Sequence, residues 1–244
     1  MSGHSKWSTI KHKKGKADAA RSKVFSRISK EITIAAKMGG GDPDANPRLR
    51  TALANARAVS FPRDNIDTAI KKGTGELEGV SYEEYNIEGY GPHGIAVIYE
   101  GLTDNTNRTI AEVRSIFSKN GGNMATTGAV SYMFDRVGEI VFDKETMSEE
   151  EMEEMAIEAG AEDVILDDEE VYIVRTAIED LQDVVAFFEE KGIEYKNADM
   201  NLVPQNVVEL TGSAAESAMK FYEKMEDQDD CQKLYTNFVV VDEE

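Results

Sequence analysis

Apolar positions recur at three- and four-residue steps through the first third of the chain, which is the spacing of an amphipathic helix. After Asp18, a residue type that caps helix N-termini, the chain enters the first such stretch. Its apolar positions are Val24, Phe25, Ile28, Ile32, Ala35 and Ala36. The glycines at 39–41 end the pattern, because glycine is a frequent helix stop. The sequence therefore predicts a first helix from Asp18 up to these glycines.

Two further helices are predicted before residue 75. Asn46 followed by Pro47 is typical of a helix start. The apolar face that follows is formed by Leu49, Ala52, Leu53, Ala56 and Val59. Pro62 begins a shorter helix that closes at Gly73. Residues 1–75 are thus predicted to form a basic arm and a small helical domain, and the glycines that follow to form a linker.

The pattern changes beyond this linker, where short alternating apolar runs interleave with helical ones. Strands are predicted over 95–99, 129–134, 137–142, 164–165, 171–174, up to Leu202, 207–210 and 235–241. Helices are predicted from near Thr106 to Phe117, from Ser148, over 178–191 and over 213–225. Ser148 and Glu151 fit a capping box at the start of one of these helices. Sheet and helix layers are therefore expected to pack on each other.

The order of these elements predicts the domain arrangement. Residues 137–203 read as a complete βαββαβ unit. The pieces on either side, 80–136 and 204–244, each read as half of the same unit, so together they could close one discontinuous domain. We therefore expect an α+β fold: a small helical N-terminal domain plus two ferredoxin-like α/β lobes, with the third domain inserted in the second.

Composition narrows the class of protein. Hydrophobic residues make up 41% of the 244 residues and are joined by 19 glycines, which is the range of a globular chain. The chain lacks an apolar run of about 18 residues and a secretory signal, so we expect a cytoplasmic protein without a membrane partner. The one cysteine, Cys231, permits no internal disulfide, and three dispersed histidines indicate no metal site. No cofactor is expected.

One motif depends on its context. Gly89, Gly91 and Gly94 spell GxGxxG, the dinucleotide-binding pattern, which requires a strand before it and a helix after it. Because Ile95 to Tyr99 reads as a strand, we interpret these glycines as a hairpin turn. No GxSxG, Walker A, HExxH or paired CxxC sequence occurs. We therefore expect a protein that is not an enzyme.

Charge divides the chain in two. Residues 1–75 hold 16 Lys and Arg against 6 Asp and Glu, a net charge of +10. Residues 76–244 hold 11 against 41, a net charge of −30. The whole-chain charge of −20 conceals this division. The first third is expected to attract polyanions, and the remainder to repel them.

The basic arm and the first helix carry the candidate site. A cationic surface binds phosphate backbones because each neutralised phosphate releases a counterion, and an aromatic side chain could stack on a base. The candidate nucleic-acid-binding residues are Lys6, Trp7, Lys11, His12, Lys13, Lys14, Lys16, Arg21, Lys23, Arg27 and Lys30. The alternative is that these lysines only solvate the chain end, or that the arm folds back on the protein's own acidic lobes.

Five segments of the chain resemble the YebC family. They are GHSKW at 3–7, IKHKKGKAD at 10–18, NPRLR at 46–50, FPRDNIDTAIKKGTG at 61–75 and SKNGGN at 118–123. The resemblance runs along essentially the whole chain, and the family also includes the mitochondrial translational activator of cytochrome oxidase subunit one. One departure is His93 in the turn GYGPHG, where we expect glycine.

The resemblance implies a cytoplasmic protein of three lobes, two of them α/β lobes around a cleft. Family members are described as DNA-binding transcriptional regulators, while others act in translation and assist ribosomes on difficult messages such as proline runs. We therefore expect a DNA-binding transcriptional regulator, with a ribosome-associated factor that binds ribosomal RNA as the alternative. An enzyme with a site hidden in the cleft is a third class, and no catalytic residue is assigned to it.

Overall fold

The computed structural model describes residues 17–241. The N-terminal helical domain consists of α1 (Ala17–Gly39), α2 (Pro47–Ala58) and α3 (Arg63–Thr74). These are the three predicted helices, and the predicted start of the second is confirmed because the Asn46 side chain accepts the N–H of Leu49 at 3.1 Å. The helix α1 approaches α3 so closely that a Cβ on Gly73 would lie 2.4 Å from the carbonyl oxygen of Thr33.

The next unit, which we name the outer lobe, comes from both sides of an insertion. Its elements are β1 (Glu83–Tyr90), β2 (Ala96–Thr103), α4 (Thr106–Lys119), β3 (Asn123–Met124), β8 (Val208–Leu210), α7 (Gly212–Glu226), β9 (Cys231–Thr236) and β10 (Phe238–Val240). Four of the strands form an antiparallel sheet in the order β3-β1-β2-β9, and β8 pairs with β10 in parallel. Because β9 pairs with β2, the two halves of the chain close one sheet.

The insertion forms a third unit, which we name the inserted lobe. Its elements are β4 (Phe134–Asp143), α5 (Glu149–Glu158), β5 (Asp163–Ile165), β6 (Val171–Thr176), α6 (Leu181–Glu190) and β7 (Asn197–Pro204). The antiparallel strand order β5-β6-β4-β7 is that of a ferredoxin-like βαββαβ unit. The expected fold class is confirmed, with a helical N-terminal domain followed by sheet lobes. The boundaries 1–75, 80–136 with 204–244, and 137–203 stay predictions.

Each unit has its own apolar core. In the helical domain, Ile32, Leu49 and Phe61 belong to one buried cluster that joins α1 to the other two helices. The outer lobe packs α4 and α7 on one face of its sheet, and the inserted lobe does the same with α5 and α6. A further buried cluster joins the two lobes, because Ile98 and Tyr235 of the outer sheet pack with Phe134 of β4.

The structure corrects two predicted strands. The expected strand over 129–134 is wrong, because Ser131–Met133 forms a single 3-10 turn and β4 begins only at Phe134. The expected strand over 235–241 is two strands, which are separated at the buried Asn237. The side-chain oxygen of Asn237 accepts the N–H of Ala96 at 2.7 Å. Asn237 thus marks the point where the chain leaves the sheet of β9 and enters that of β10.

The glycine motif is a hairpin, as predicted. β1 and β2 pair antiparallel up to Tyr90 and Ala96, and a single 3-10 turn at Pro92–Gly94 joins them. His93 lies in this turn at φ 60°, in the left-handed region, and its side chain is exposed. The strand β1 itself has no counterpart among the predicted strands.

One buried carboxylate shapes the loop before β4. Glu88, on β1, accepts backbone N–H groups from Gly128 at 2.7 Å, Val130 at 2.8 Å and Ser131 at 3.0 Å. Burial opposes its ionisation, but these three donors outweigh that cost and lower the pKa of Glu88 below its ordinary value. The loop is therefore held by charge-assisted hydrogen bonds to a neighbouring strand.

Replacing Glu88 by Gln is expected to lower the free energy of unfolding by about 2 kcal/mol, since the amide group leaves N–H donors of the loop without an acceptor. Urea denaturation measures this. Because the folded pKa lies below the unfolded one, the contribution of Glu88 is present above about pH 4 and fades as the pH falls below it. Glu83→Gln, an exposed change on the same strand, is the control, and equal losses in the two variants would contradict the assignment.

Candidate nucleic-acid interface

The described residues include four of the eleven candidate residues. Lys6, Trp7, Lys11, His12, Lys13, Lys14 and Lys16 lie outside them. Arg21, Lys23, Arg27 and Lys30 all lie on α1. The geometry that follows therefore concerns the helix cations.

Three of these cations share one face of α1. Lys23, Arg27 and Lys30 are separated by four and three residues, so they lie above one another along the helix. Lys37 continues the same stripe two turns further on. The other face of α1 carries Phe25, Ile28 and Ile32 in the core of the helical domain. The helix therefore has an apolar face and a cationic face, and we name the latter the α1 stripe (Lys23, Arg27, Lys30 and Lys37).

The α1 stripe contacts an acidic turn of the outer lobe, which we name the docking corner (residues 226–230, between α7 and β9). Lys23 forms an ion pair with Asp227 at 3.1 Å. Arg27 donates from Nη2 to the carbonyl oxygen of Glu226 at 2.7 Å. Cations that sequence analysis assigns to nucleic acid are thus engaged with the protein's own acidic lobe.

Lys30 reaches furthest into the docking corner. Its ammonium group donates to the Asp230 carboxylate at 2.9 Å and to the Asp229 carbonyl oxygen at 3.0 Å. A longer contact of 3.4 Å reaches the carbonyl oxygen of Leu102 on β2. The side chain of Lys30 is 12% exposed, and that of its partner Asp230 is 5% exposed. This ion pair is buried at the junction of two units.

The Asp230 carboxylate is the centre of a wider network. Its second oxygen accepts from Thr109 at 2.7 Å, Arg108 at 2.8 Å and Thr103 at 3.1 Å. Burial opposes its ionisation, but the hydrogen bonds from Lys30, Thr109 and Arg108 outweigh burial and hold the pKa of Asp230 well below its usual range. Asp230 therefore stays ionised and keeps its cationic partners in place.

The remaining cations of the helical domain face outward, except Arg48, which lines a cleft. The guanidinium of Arg21 lies 5.2 Å from the centre of the Phe25 ring, and its side chain is exposed. Five more exposed cations lie outside both the candidate set and the α1 stripe, and the sequence signal for them is their position near the ends of α2 and α3. They are Arg50, Arg57, Arg63, Lys71 and Lys72.

A cleft of about 830 Å³ lies where the three units meet. Its walls come from α1 and α2, from β1, β2 and β9 of the outer sheet, and from β4 and β7 of the inserted lobe. Arg48 on α2 bridges Glu31 on α1, at 2.7 Å, to Glu84 on β1. Lys233 pairs with Asp199 across the two lobes at 2.7 Å. Ion pairs thus connect the walls of the cleft, and its lining contains both acidic and basic side chains.

The cleft does not have the surplus of positive charge that a polyanion requires. Glu100 belongs to its lining, and burial raises the pKa of Glu100 above its ordinary value, while Lys233 partly opposes this. Arg136 also belongs to the lining and is exposed. Acidic and basic side chains are mixed throughout the lining, so the cleft is a poor match to a phosphate backbone.

Residues 17–241 contain neither a metal-binding cluster nor a membrane-spanning helix. Within this range, no group of three or more His, Cys, Asp or Glu side chains is placed to hold a metal ion. None of the described helices has the length and apolar character needed to span a bilayer.

Two family models match the chain. The model described as "TACO1/YebC protein N-terminal domain" matches residues 5–76. The model described as "TACO1/YebC second and third domain" matches residues 82–238. The two matches meet near the glycine linker that the sequence predicts.

Relatives match along the full length. A "Probable transcriptional regulatory protein" of Geobacter sulfurreducens is 54% identical over 100% of this chain and 98% of its own. One of the same name from Desulfatibacillum aliphaticivorans is 54% identical with the same coverage. The crystal structure of a conserved hypothetical protein, Aq1575 from Aquifex aeolicus, superposes with a TM-score of 0.89 at 44% identity, covering 97% of this chain and 98% of that one.

Proposed function

This chain belongs to the TACO1/YebC family, and from that premise we propose that it is a nucleic-acid-binding regulator of gene expression, specifically a DNA-binding transcriptional regulator. The relatives named as probable transcriptional regulatory proteins support a regulatory role in the family. The proposed place of action is the cytoplasm, where bacterial DNA and ribosomes both lie.

The observation that carries this proposal is the division of charge. A net +10 on residues 1–75 beside −30 on the rest favours a polyanion at one end of the molecule only. The inserted lobe strengthens the contrast, because four of its five cations, all except Arg136, have acidic partners among the described residues. The pairs are Lys144–Glu149, Arg175–Glu139, Lys191–Glu158 and Lys196–Asp143. The net charge of this lobe is therefore negative, and we expect a nucleic-acid backbone to repel it.

The placement of the polar side chains on α2 favours the ribosome-associated alternative. Two of the four side chains on α2 that could read bases are turned into the cleft, where Arg48 bonds Glu31 and Asn55 accepts from the N–H of Ala198. The other two, Arg50 and Arg57, are exposed near the two ends of the helix. Because only these end positions are exposed, we propose that α2 contacts phosphates rather than bases. Phosphate contacts fit ribosomal RNA as well as DNA.

Crosslinking in growing cells, followed by sequencing of both the bound DNA and the bound RNA, tests this choice. Recovery of chromosomal fragments above the input level supports the transcriptional proposal. Recovery of ribosomal RNA with little DNA supports the translational alternative. Recovery of neither would remove both and direct attention to catalysis in the cleft.

Reversal of three arm charges is expected to weaken binding to every DNA sequence alike. Replacing Lys11, Lys13 and Lys14 by Glu removes phosphate contacts and adds repulsion, and phosphate contacts carry no sequence information. Fluorescence anisotropy with a promoter fragment and a random duplex of equal length measures the loss. Arg at the same three positions keeps the charge and should keep the affinity. A loss confined to one sequence would contradict the phosphate assignment.

A further inference from the structure

The docked state uses up the hydrogen-bonding capacity of Lys30, whose side chain is largely buried at the docking corner. A lysine ammonium has three N–H donors, and all three of Lys30 have acceptors inside the protein: Asp229, Asp230 and Leu102. Lys23 and Arg27 donate to Asp227 and Glu226. A phosphate cannot take Lys30 while these bonds persist.

The oxygens of the docking corner resemble those of a phosphate backbone in their chemistry. Carboxylate and carbonyl oxygens of residues 226–230 face the α1 stripe along two helical turns. Both kinds of partner accept charge-assisted hydrogen bonds from the same cations. The docking corner and a nucleic-acid backbone are therefore alternatives for one set of donors.

Further contacts between the helical domain and the rest of the protein are polar. Lys37 donates to the Ser81 hydroxyl at 2.8 Å, and Gln182 of the inserted lobe donates to the Thr51 hydroxyl at 3.2 Å. The Nε of Arg27 is buried without a hydrogen-bond partner among the described residues, which costs free energy in the docked state. Polar junctions between domains permit relative motion.

The position of a hinge is also visible. α1 shares its apolar core with α2 and α3, so it separates from the outer lobe only together with the whole helical domain. The segment that joins this domain to β1 contains Gly75, at φ +83°, and Gly79. Only backbone rotation in this short linker is needed for the domain to swing away.

We propose that the docking corner is a built-in competitor of nucleic acid, and that binding of a phosphate backbone to the α1 stripe releases the helical domain from the outer lobe. This rests on the proposed function. Only molecules with a free α1 stripe can bind, so the apparent affinity is the intrinsic affinity multiplied by the fraction of such molecules. Weakening the docking corner raises this fraction and therefore tightens binding.

The first test weakens docking without touching a cation. Asp227→Asn removes the partly exposed Lys23–Asp227 ion pair, a change of about two- to threefold in the docking equilibrium. We expect random-sequence DNA to bind this variant about two- to threefold more tightly than it binds Glu158→Gln. The control loses one equal charge from an exposed pair in the inserted lobe. Equal affinities for the two variants would overturn the proposal.

The second test observes the movement. Donor and acceptor dyes at Ser22→Cys on α1 and Glu216→Cys on α7 occupy exposed positions, and the native Cys231 is buried away from labelling. Random-sequence DNA is added to the full chain while anisotropy follows binding and energy transfer follows the distance between the dyes. A fall in transfer with binding is the expected result. Binding with unchanged transfer would overturn the proposed release of the helical domain and leave the proposed function standing, whereas absence of binding would remove both.

Discussion

Raising the salt concentration from about 50 to about 200 mM is expected to weaken binding to random-sequence DNA on the order of a thousandfold. About six neutralised phosphates give this slope, because each one releases counterions whose entropy gain shrinks as bulk salt rises. The five arm lysines together with Arg21 supply that number of cations. Fluorescence anisotropy titrations at four or more salt concentrations measure it.

The matched variant for this prediction removes arm charge without adding repulsion. Glutamine at all five arm positions should lower the slope of log affinity against log salt by about four to five units. These positions are Lys6, Lys11, Lys13, Lys14 and Lys16. A slope that persists in this variant would move the phosphate contacts to the α1 stripe or to the exposed cations of α2 and α3. A wild-type affinity independent of salt would exclude phosphate binding altogether.

Helix ends and lobe order could be predicted because their causes are local. Asn46 caps α2 with its own side chain, and Ser148 with Glu151 forms the predicted capping box at the start of α5. The loop before β4 could not be predicted. Its turn depends on Glu88, whose carboxylate lies on a strand about 40 residues earlier in the chain. Alternation of apolar residues carries no information on so distant an acceptor.

The candidate nucleic-acid interface was still harder to predict from the sequence, for the same reason. Charge pattern correctly marks α1 as cationic, but the partners of Lys23 and Lys30 lie about 200 residues later, at Asp227 and Asp230. Counting charges cannot show that the acidic run of residues 226–230 meets this helix. Because of these tertiary contacts, the candidate cations Lys23, Arg27 and Lys30 connect the helical domain to the outer lobe. Their assignment to nucleic acid stays a prediction, and Arg21 is the described candidate that faces outward.

Replacing Asp230 by Ala is expected to lower the free energy of unfolding by about 3–5 kcal/mol. The change leaves the buried ammonium of Lys30 without its carboxylate and removes the acceptor of Thr103, Thr109 and Arg108. An uncompensated buried charge has a cost of this size. Urea denaturation followed by far-ultraviolet circular dichroism measures the shift. In the wild type, a folded pKa below the unfolded one means that this stability is present above about pH 4 and is lost as the pH falls further.

The neighbouring residue supplies the control for this prediction. Asp229 is exposed and offers the stripe only its backbone carbonyl, which Ala retains. Asp229→Ala should therefore change the free energy of unfolding by less than about 0.5 kcal/mol. The acid sensitivity contributed by Asp230 should disappear in Asp230→Ala and persist in Asp229→Ala, because only the first variant lacks the titrating carboxyl. If the two variants unfold at the same urea concentration, the Lys30–Asp230 pair does not hold the helical domain to the outer lobe.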